Sequence, residues 1–581
     1  MNPSETVQSG ELSLAVYTWG TPAPDKPNVV LVHGYPDAAS VWDKTAPLLA
    51  EKYFVVAYDV RGAGRSDVPD HTKAYALEHL VEDLASVIEA TCGDAPVHLI
   101  CHDWGSIQSW EAVTTERIGG RIASYTSISG PSIDHASYWI MDRLRSGSPS
   151  DIAQVARQLS HSWYIGAFQL PALGESLWKL GLDKLWPKVL QRMEGIADVE
   201  PSQTQTKDGT SGINLYRANF VQRLLKPQER RTDTPVQLIV AKRDRFMVQE
   251  IWDDLPNWVP NLWRREIDAG HWVQISHPEQ VVAMASEFID FVASGHESAA
   301  LRRARQRGPR KPMTGKLVVV TGAGGGIGRE TLLTFAEQGA AVVAVDIDPV
   351  AAERSAELAR ALDAEAWVRQ VDVGSVEQME ALATWVKTDL GAPDVVVNNA
   401  GIGLSGKMLD TSMADWDRLL RVNLWSVILG SKLFAQQMID AGKAGHIVNV
   451  ASAAAFSPTK ALPAYATTKA AVHMLSDCLR AELADQRIHV VSVCPGIVNT
   501  GITSASRFVG VSDDKQEQLR ARAKKMYARR NLKPSAVADA ILDAVKKNKP
   551  EALVGAEAHA FRFLSRYVPS LSRRLARLDM I

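Results

Sequence analysis

Cysteine is scarce. The chain of 581 residues holds four, Cys92, Cys101, Cys478 and Cys494, with no CxxC spacing. That argues against a disulfide-stapled scaffold or a thiolate metal site and reads as reduced thiols in a cytosol. No apolar run reaches the ~20 residues of a membrane-spanning helix. The opening MNPSETVQSGELS is polar and lacks the basic-then-apolar pattern of a secretion signal. Neither sign of charge dominates: 64 Lys and Arg against 66 Asp and Glu leave a formal net charge of -2. The footprint of a nucleic-acid binder is therefore missing. There is no internal repeat and no low-complexity tract.

What is present is length and alternation. A chain this long exceeds one hydrophobic core and predicts at least two domains. Short apolar runs at 28–33, 54–59, 97–101 and 236–241 alternate with amphipathic stretches such as 77–91. That rhythm predicts a mostly parallel sheet covered by helices. It breaks over about 134–225, which reads as an inserted helical layer. Twelve of the 16 tryptophans precede residue 300. Trp139, Trp163, Trp178 and Trp186 fall in the inserted layer, as packed core or as the rings of an apolar pocket. Residues 296–312 are rich in arginine and predict an exposed basic linker, either solvated or docked on an acidic or phospholipid surface. A second βα alternation begins at 316, with strands near 341–345, 394–397, 446–450 and 489–493. The basic, amphipathic tail from Phe561 packs on its own domain or touches a membrane surface.

Two sets of chemistry-bearing residues stand in the two halves. In the first, CHDWGS places Asp103 on a tight strand-to-helix turn between the small residues Cys101 and Gly105. Such a turn presents a nucleophile, and an aspartate there forms an alkyl ester by attacking a saturated carbon. HGYPD follows the strand NVVLV, so the N–H groups of Tyr35 and Trp104 can form an oxyanion hole. Asp244 in KRDRF and His271 in AGHW complete the order nucleophile, acid, histidine. Over about residues 10–294 this half resembles the epoxide hydrolases of the α/β-hydrolase superfamily. The resemblance implies that two cap tyrosines, matching Tyr164 in SWYIGAFQL and Tyr216 in INLYRANF, protonate the opening epoxide. Haloalkane dehalogenases also resemble this half at Asp103 and Trp104. Tyr35 stands where that family normally has its second halide donor. Cys101 replaces the glycine usual in these hydrolases, which implies a slightly altered turn.

In the second half, TGAGGGIG follows the strand KLVVV and opens a helix, a backbone suited to a pyrophosphate. Asp346 ends the next strand, where a carboxylate takes the ribose hydroxyls and repels a 2′-phosphate. This favours NAD over NADP. Tyr465 and Lys469 lie four apart on one helix face, so the ammonium can lower the tyrosine's pKa. Ser452 follows the strand HIVNV and can hold a substrate oxygen, while Asn423 can anchor a proton-relay water. This half resembles the short-chain dehydrogenase/reductases over about residues 313–550. The resemblance carries Gly322, Gly326, Ile327, Gly328, Asn399 and Gly401 as cofactor contacts. It places Asp372 at the adenine, Ile497 and Thr500 near the nicotinamide, and implies a homo-oligomer without metal.

The expected architecture is α/β throughout. An α/β-hydrolase domain spans 1–295, a linker 296–312, and a Rossmann-type dehydrogenase domain 313–581. The whole resembles actinobacterial fusions of an epoxide hydrolase with a short-chain dehydrogenase. That implies a lipid epoxide opened to a vicinal diol and an alcohol or ketone handled by the second domain. The two activities act in sequence, or independently in a fusion that serves assembly. Alternatively, the first domain only presents lipid to the second.

Overall fold

The computed structural model describes residues 2–196, 202–306, 308, 310–500, 506–530 and 532–577. It divides into two units, Met1–Arg310 and Lys311–Ile581.

The first unit is built on one eight-stranded sheet. Its strands are β1 (Glu5–Ser9), β2 (Leu12–Trp19), β3 (Asn28–Val32), β4 (Phe54–Tyr58), β5 (Val97–His102), β6 (Ile122–Ile128), β7 (Val236–Ala241) and β8 (Leu262–Ile267). The order across the sheet is β1-β2-β4-β3-β5-β6-β7-β8. The β1–β2 and β2–β4 pairs are antiparallel and the rest parallel. The central strands β3, β4 and β5 are buried along their whole length. That is why they read as continuous apolar runs. Successive residues feed opposite faces: Val30, Val32, Leu99 and Cys101 join one core, Val29, Leu31 and Ile100 the other.

Between β6 and β7 the chain leaves the sheet and forms a helical cap from Ile133 to Leu225. Its tryptophans divide. Trp139 and Trp178 are buried, Trp186 is half-buried, and Trp163 is 72 % exposed. Trp163 therefore lines neither core nor pocket. It opens the short helix Trp163–Phe168, which turns Tyr164 inward instead.

The described part of the basic segment after Gly295 is only partly solvated: Arg302 and Lys311 are exposed, and described residues between them pack on the first unit. Residues Ala299–Ala304 form a helix capped by Ser298, and Leu301, Arg303 and Ala304 are buried. Leu301 and Ala304 pack with Trp263 and Phe288, and the Arg305 guanidinium lies 5.1 Å over the Trp263 ring. Arg310 pairs with Glu266 on β8. Arginine carries an apolar stem and a planar head, so a basic stretch can cover a sheet edge as well as face water.

The second unit holds β9 (Leu317–Thr321), β10 (Ala341–Asp346), β11 (Ala366–Gln370), β12 (Val395–Asn398), β13 (Leu404–Ser405), β14 (Gly445–Val450), β15 (Ile488–Pro495), β16 (Arg507–Phe508) and β17 (Glu551–Val554). Seven form an all-parallel sheet in the order β11-β10-β9-β12-β14-β15-β17, and β13 pairs with β16. The order reverses between β9 and β12, which opens a crevice at their carboxyl ends. The tail helices Ala556–Tyr567 and Pro569–Leu575 are tied to their own unit. Arg562 pairs with Glu551 at 3.3 Å and lies over Phe456. Among the described residues no helix is long and apolar enough to cross a membrane.

Candidate active sites

In the first unit, β5 passes into the helix Trp104–Val113 through Asp103, which holds φ 50° and ψ -120°. A non-glycine residue holds that conformation only where its surroundings over-determine it. The sharp turn brings backbones together, and a Cβ at Gly105 would stand 2.2 Å from the Val32 carbonyl oxygen. Cys101 is accommodated in place of a glycine because its buried Sγ lies 3.1 Å from Ser109 Oγ.

The structure brings the expected partners to Asp103. Tyr35 N–H donates to its Oδ1 at 2.8 Å, and His271 Nε2 lies 3.6 Å from its Oδ2. Trp104 opens the helix, where first-turn N–H groups have no intrahelical partner. His271 Nδ1 donates to Asp244 Oδ2 at 2.9 Å. Asp244 Oδ1 accepts from the N–H groups of Phe246 (2.8 Å) and Met247 (3.2 Å). Burial works against charge on both residues of this pair. For Asp244, the His271 charge and hydrogen bond outweigh burial and hold the carboxyl below its usual range. For His271, Asp244 and Asp103 outweigh burial and raise the imidazole well above its ordinary value.

The tyrosines close the site from the cap. The Tyr216 ring lies 4.9 Å from Trp104, 5.4 Å from Tyr35 and 6.0 Å from Tyr164, all edge to face. Burial first, then the neighbouring Tyr164 and the Asp103 carboxylate, push the Tyr216 phenol well above its usual value. Tyr164 is raised by burial and Asp103. Both phenols are therefore held protonated. The Tyr35 hydroxyl is engaged elsewhere: it donates to Gly209 O at 3.1 Å and accepts from Trp178 Nε1 at 2.7 Å.

Several contributors carry no distinct sequence signal. Phe246 packs 4.8 Å from the His271 ring, and Phe168 lies 5.1 Å from Tyr216. Asp37 of HGYPD accepts from Trp272 Nε1 at 2.9 Å, and burial pushes its carboxyl up to about 7. The motif histidine, His33, is a clasp: its Nε2 accepts Val60 N–H at 2.9 Å, which leaves Nδ1 to donate to Gly34 O.

In the second unit the expected residues gather at the carboxyl ends of β9, β10, β12, β14 and β15. The turn after β9 is glycine-rich because space is short: a Cβ at Gly328 would lie 2.0 Å from Gly322 O. Gly326 starts the following helix beside Ile327, and a Cβ on it would meet Thr500 at 3.3 Å. Asp346 Oδ2 accepts Gly324 N–H at 2.8 Å, which ties the acid to the loop. Asn399 Nδ2 donates to Thr321 O (2.9 Å) and Gly322 O (3.2 Å), locking β12 to the same turn. Asp372 Oδ1 accepts Gly374 N–H at 2.9 Å beyond β11. Ile497 is half-buried just past β15.

Tyr465 and Lys469 lie on the helix Pro463–Glu482, the Lys469 Nζ 5.9 Å from the Tyr465 ring centroid. That Nζ donates to Val450 O at 2.8 Å, two residues before Ser452. Burial lowers the Lys469 ammonium to about 8. Ser452 Oγ accepts Ala454 N–H at 3.2 Å, which leaves its proton to donate. Asn423 sits in a π-helical turn, Arg421–Trp425, a form frequent at functional sites. Its side chain accepts Ile402 N–H at 2.8 Å and donates to Ile402 O at 3.0 Å, so it clamps the loop beside Gly401. Arg329 was not singled out in the sequence, yet its guanidinium bonds Ser355 and Gly324 O beside Asp346.

Strand order and site together define an α/β-hydrolase-fold domain joined to a short-chain dehydrogenase domain. The family model described as alpha/beta hydrolase fold matches residues 27–278, and that of the short chain dehydrogenases matches residues 316–508. The chain is 40 % identical over 578 residues to the probable oxidoreductase EphD of Mycobacterium bovis and Mycobacterium tuberculosis. The match covers 98 % of this chain and 97 % of each relative. The chain belongs to this family of hydrolase–dehydrogenase fusions. The second domain is also similar to a solved short-chain dehydrogenase/reductase from Burkholderia phymatum in complex with NAD. There the identity is 28 % and the TM-score 0.41, covering 46 % of this chain and 96 % of that one. The dehydrogenase fold marks the second domain as a user of a nicotinamide cofactor.

Proposed function

We propose that the first domain hydrolyses an epoxide, of lipid type, to a vicinal diol through an ester on Asp103. The observation that carries this reading is the division of labour on one carboxylate. Oδ1 is already held by the Tyr35 N–H, while Oδ2 lies 3.6 Å from His271 and the Asp103 charge bears on both protonated tyrosines. Oδ2 attacks an epoxide carbon, the C–O bond breaks, and Tyr164 or Tyr216 protonates the leaving oxygen. Esterification removes the Asp103 charge, one of the two that hold the His271 imidazole up. The imidazole then falls toward its ordinary range, gives up the proton that restores the tyrosinate, and becomes a base for water. Water adds to the ester carbonyl, the oxyanion grows on the oxygen bonded to Tyr35 N–H, and its collapse frees the diol. Tyr35 disfavours the dehalogenase alternative, because its hydroxyl is engaged by Gly209 and Trp178 and gives a halide no second donor.

For the second domain we propose NAD-dependent interconversion of an alcohol and a ketone on the same or a related lipid. The close-packed turn at Gly322–Gly328 and the Asp346 carboxylate suit a dinucleotide without a 2′-phosphate. When bound, the nicotinamide supplies hydride transfer. Tyr465 takes the hydroxyl proton, Ser452 orients the substrate oxygen, and the Lys469 charge favours the phenolate.

A single sample tests both halves. An epoxy fatty acid in H₂¹⁸O under single turnover labels the Asp103 carboxylate if the ester forms, and adding NAD then yields ketol and NADH. Label in the diol alone defeats the ester route. Diol without NADH separates the two activities.

A further inference from the structure

The cap carries a surface that neither activity uses. Its short helix Leu173–Leu177 runs on into the π-helical turn Trp178–Leu182. On this stretch the usual arrangement of residues is inverted. Gly174 and Trp178 face inward, against Phe168 and Gly209. Leu173, Leu177 and Leu180 stand at i, i+4 and i+7 on the outward side, and Leu180 is 85 % exposed. Leu170 and Leu185 flank them and are also exposed. Single exposed leucines need no explanation, but a row of them at helical spacing does.

The residues that follow this row are basic. In the next helix, Asp183–Glu194, the cations Lys184, Lys188 and Arg192 recur every fourth residue and are all exposed, as is Lys179. None of the four makes an ion pair with a described residue. The acids of the same stretch are half-buried and already engaged within the cap or against it. Glu175 pairs with Arg217 at 2.5 Å, Asp183 accepts from Thr206 Oγ1 at 2.7 Å, and Glu194 lies over Gly270.

We infer that this face of the cap docks on the surface of an anionic lipid bilayer. The leucine row enters the acyl boundary and the lysine–arginine row meets the headgroups. The chemistry favours a bilayer over a protein groove, because exposed leucines (Leu170 to Leu185) run directly into exposed cations (Lys179 to Arg192) while the acids among them, Glu175, Asp183 and Glu194, are not exposed. The helix that precedes this face carries Tyr164 and Phe168. Docking would thus set a lipid source beside the elements that close the first site. The inference stands whichever reaction the domains perform.

The test is flotation of the full chain with vesicles of phosphatidylcholine alone and of phosphatidylcholine with phosphatidylglycerol in equal parts. The expected result is binding to the anionic vesicles that weakens as salt rises. Leu177→Ser/Leu180→Ser and Lys184→Glu/Lys188→Glu should each lower the bound fraction at least tenfold, with folding checked by circular dichroism. Two surface pairs of different chemistry guard against the failure of either to fold. Equal flotation of wild type and both variants overturns the inference. So does loss only on Phe563→Ser/Tyr567→Ser, which would move the contact to the C-terminal tail. A wild-type dimer that the leucine variant converts to monomer, without vesicle binding, would assign the face to a second copy and also overturn it.

Discussion

Asp244→Asn has a consequence that follows from three hydrogen bonds. Asp244 Oδ1 accepts two backbone N–H groups, those of Phe246 and Met247. An asparagine must answer those donors with its oxygen, since its NH₂ cannot accept. Its nitrogen then takes the place of Oδ2, 2.9 Å from His271 Nδ1. A donor facing Nδ1 forces that nitrogen to accept, so the imidazole proton moves to Nε2, the nitrogen that faces Asp103. A histidine in that tautomer cannot take a proton from water. Loss of the tautomer in a buried catalytic triad costs about 10⁴ in rate, or about 5 kcal/mol of barrier. On the proposed route, ring opening needs the Asp103 carboxylate and the tyrosines and is largely spared. Diol turnover should therefore fall about 10⁴-fold, while the protein gains the mass of one epoxide. Steady-state diol formation and intact-protein mass after mixing measure the two effects. Turnover within tenfold of wild type would refute the tautomer argument, as would complete inactivity with no mass gain.

Other perturbations separate the remaining parts. Tyr216→Phe should slow ester formation about 10²-fold and leave ester hydrolysis unchanged, read as separate phases of tryptophan fluorescence under single turnover. Gly130→Ala places a Cβ 2.2 Å from the Asp103 carbonyl oxygen and should cost about 3 kcal/mol of stability, measured by denaturant unfolding of the first domain. Lys469 titrates near 8 when folded and near 10.4 when unfolded, so between these values the unfolded chain holds the extra proton. Wild-type stability should thus rise across that window relative to Lys469→Met, by about 3 kcal/mol in all. Unfolding of both proteins at pH 7 and pH 10 gives the difference.

Most of the buried strands were legible because a strand covered on both faces is apolar along its length. The runs at 28–33, 54–59, 97–101 and 236–241 became β3, β4, β5 and β7 within a residue or so. β6 escaped because Ser124, Thr126 and Ser127 interrupt it, although all three are buried. β8 escaped because Arg264, Arg265 and Glu266 read as surface. These arginines find partners in Asp253 and Glu287. In the basic segment, the burial of Arg303 and the Arg305 guanidinium over the Trp263 ring went unread for the same reason. Asp103, Asp244 and His271 were readable from local turn chemistry and chain order. Tyr164 and Tyr216 were readable only through the family resemblance, since nothing local distinguishes them from other cap tyrosines.

The order of elements, the residue on each turn and the chemical type of each candidate group belong to the sequence, because periodicity and turn chemistry are local. The tertiary structure decided which charges those groups carry and which surfaces they meet. His271 is raised because two carboxylates from separate loops converge on it, and Lys469 is lowered because its helix is buried against β14. Trp163 faces solvent while Tyr164 beside it faces the site. Desolvation and Coulomb energy depend on distance through space, and distance along the chain carries almost none of that information.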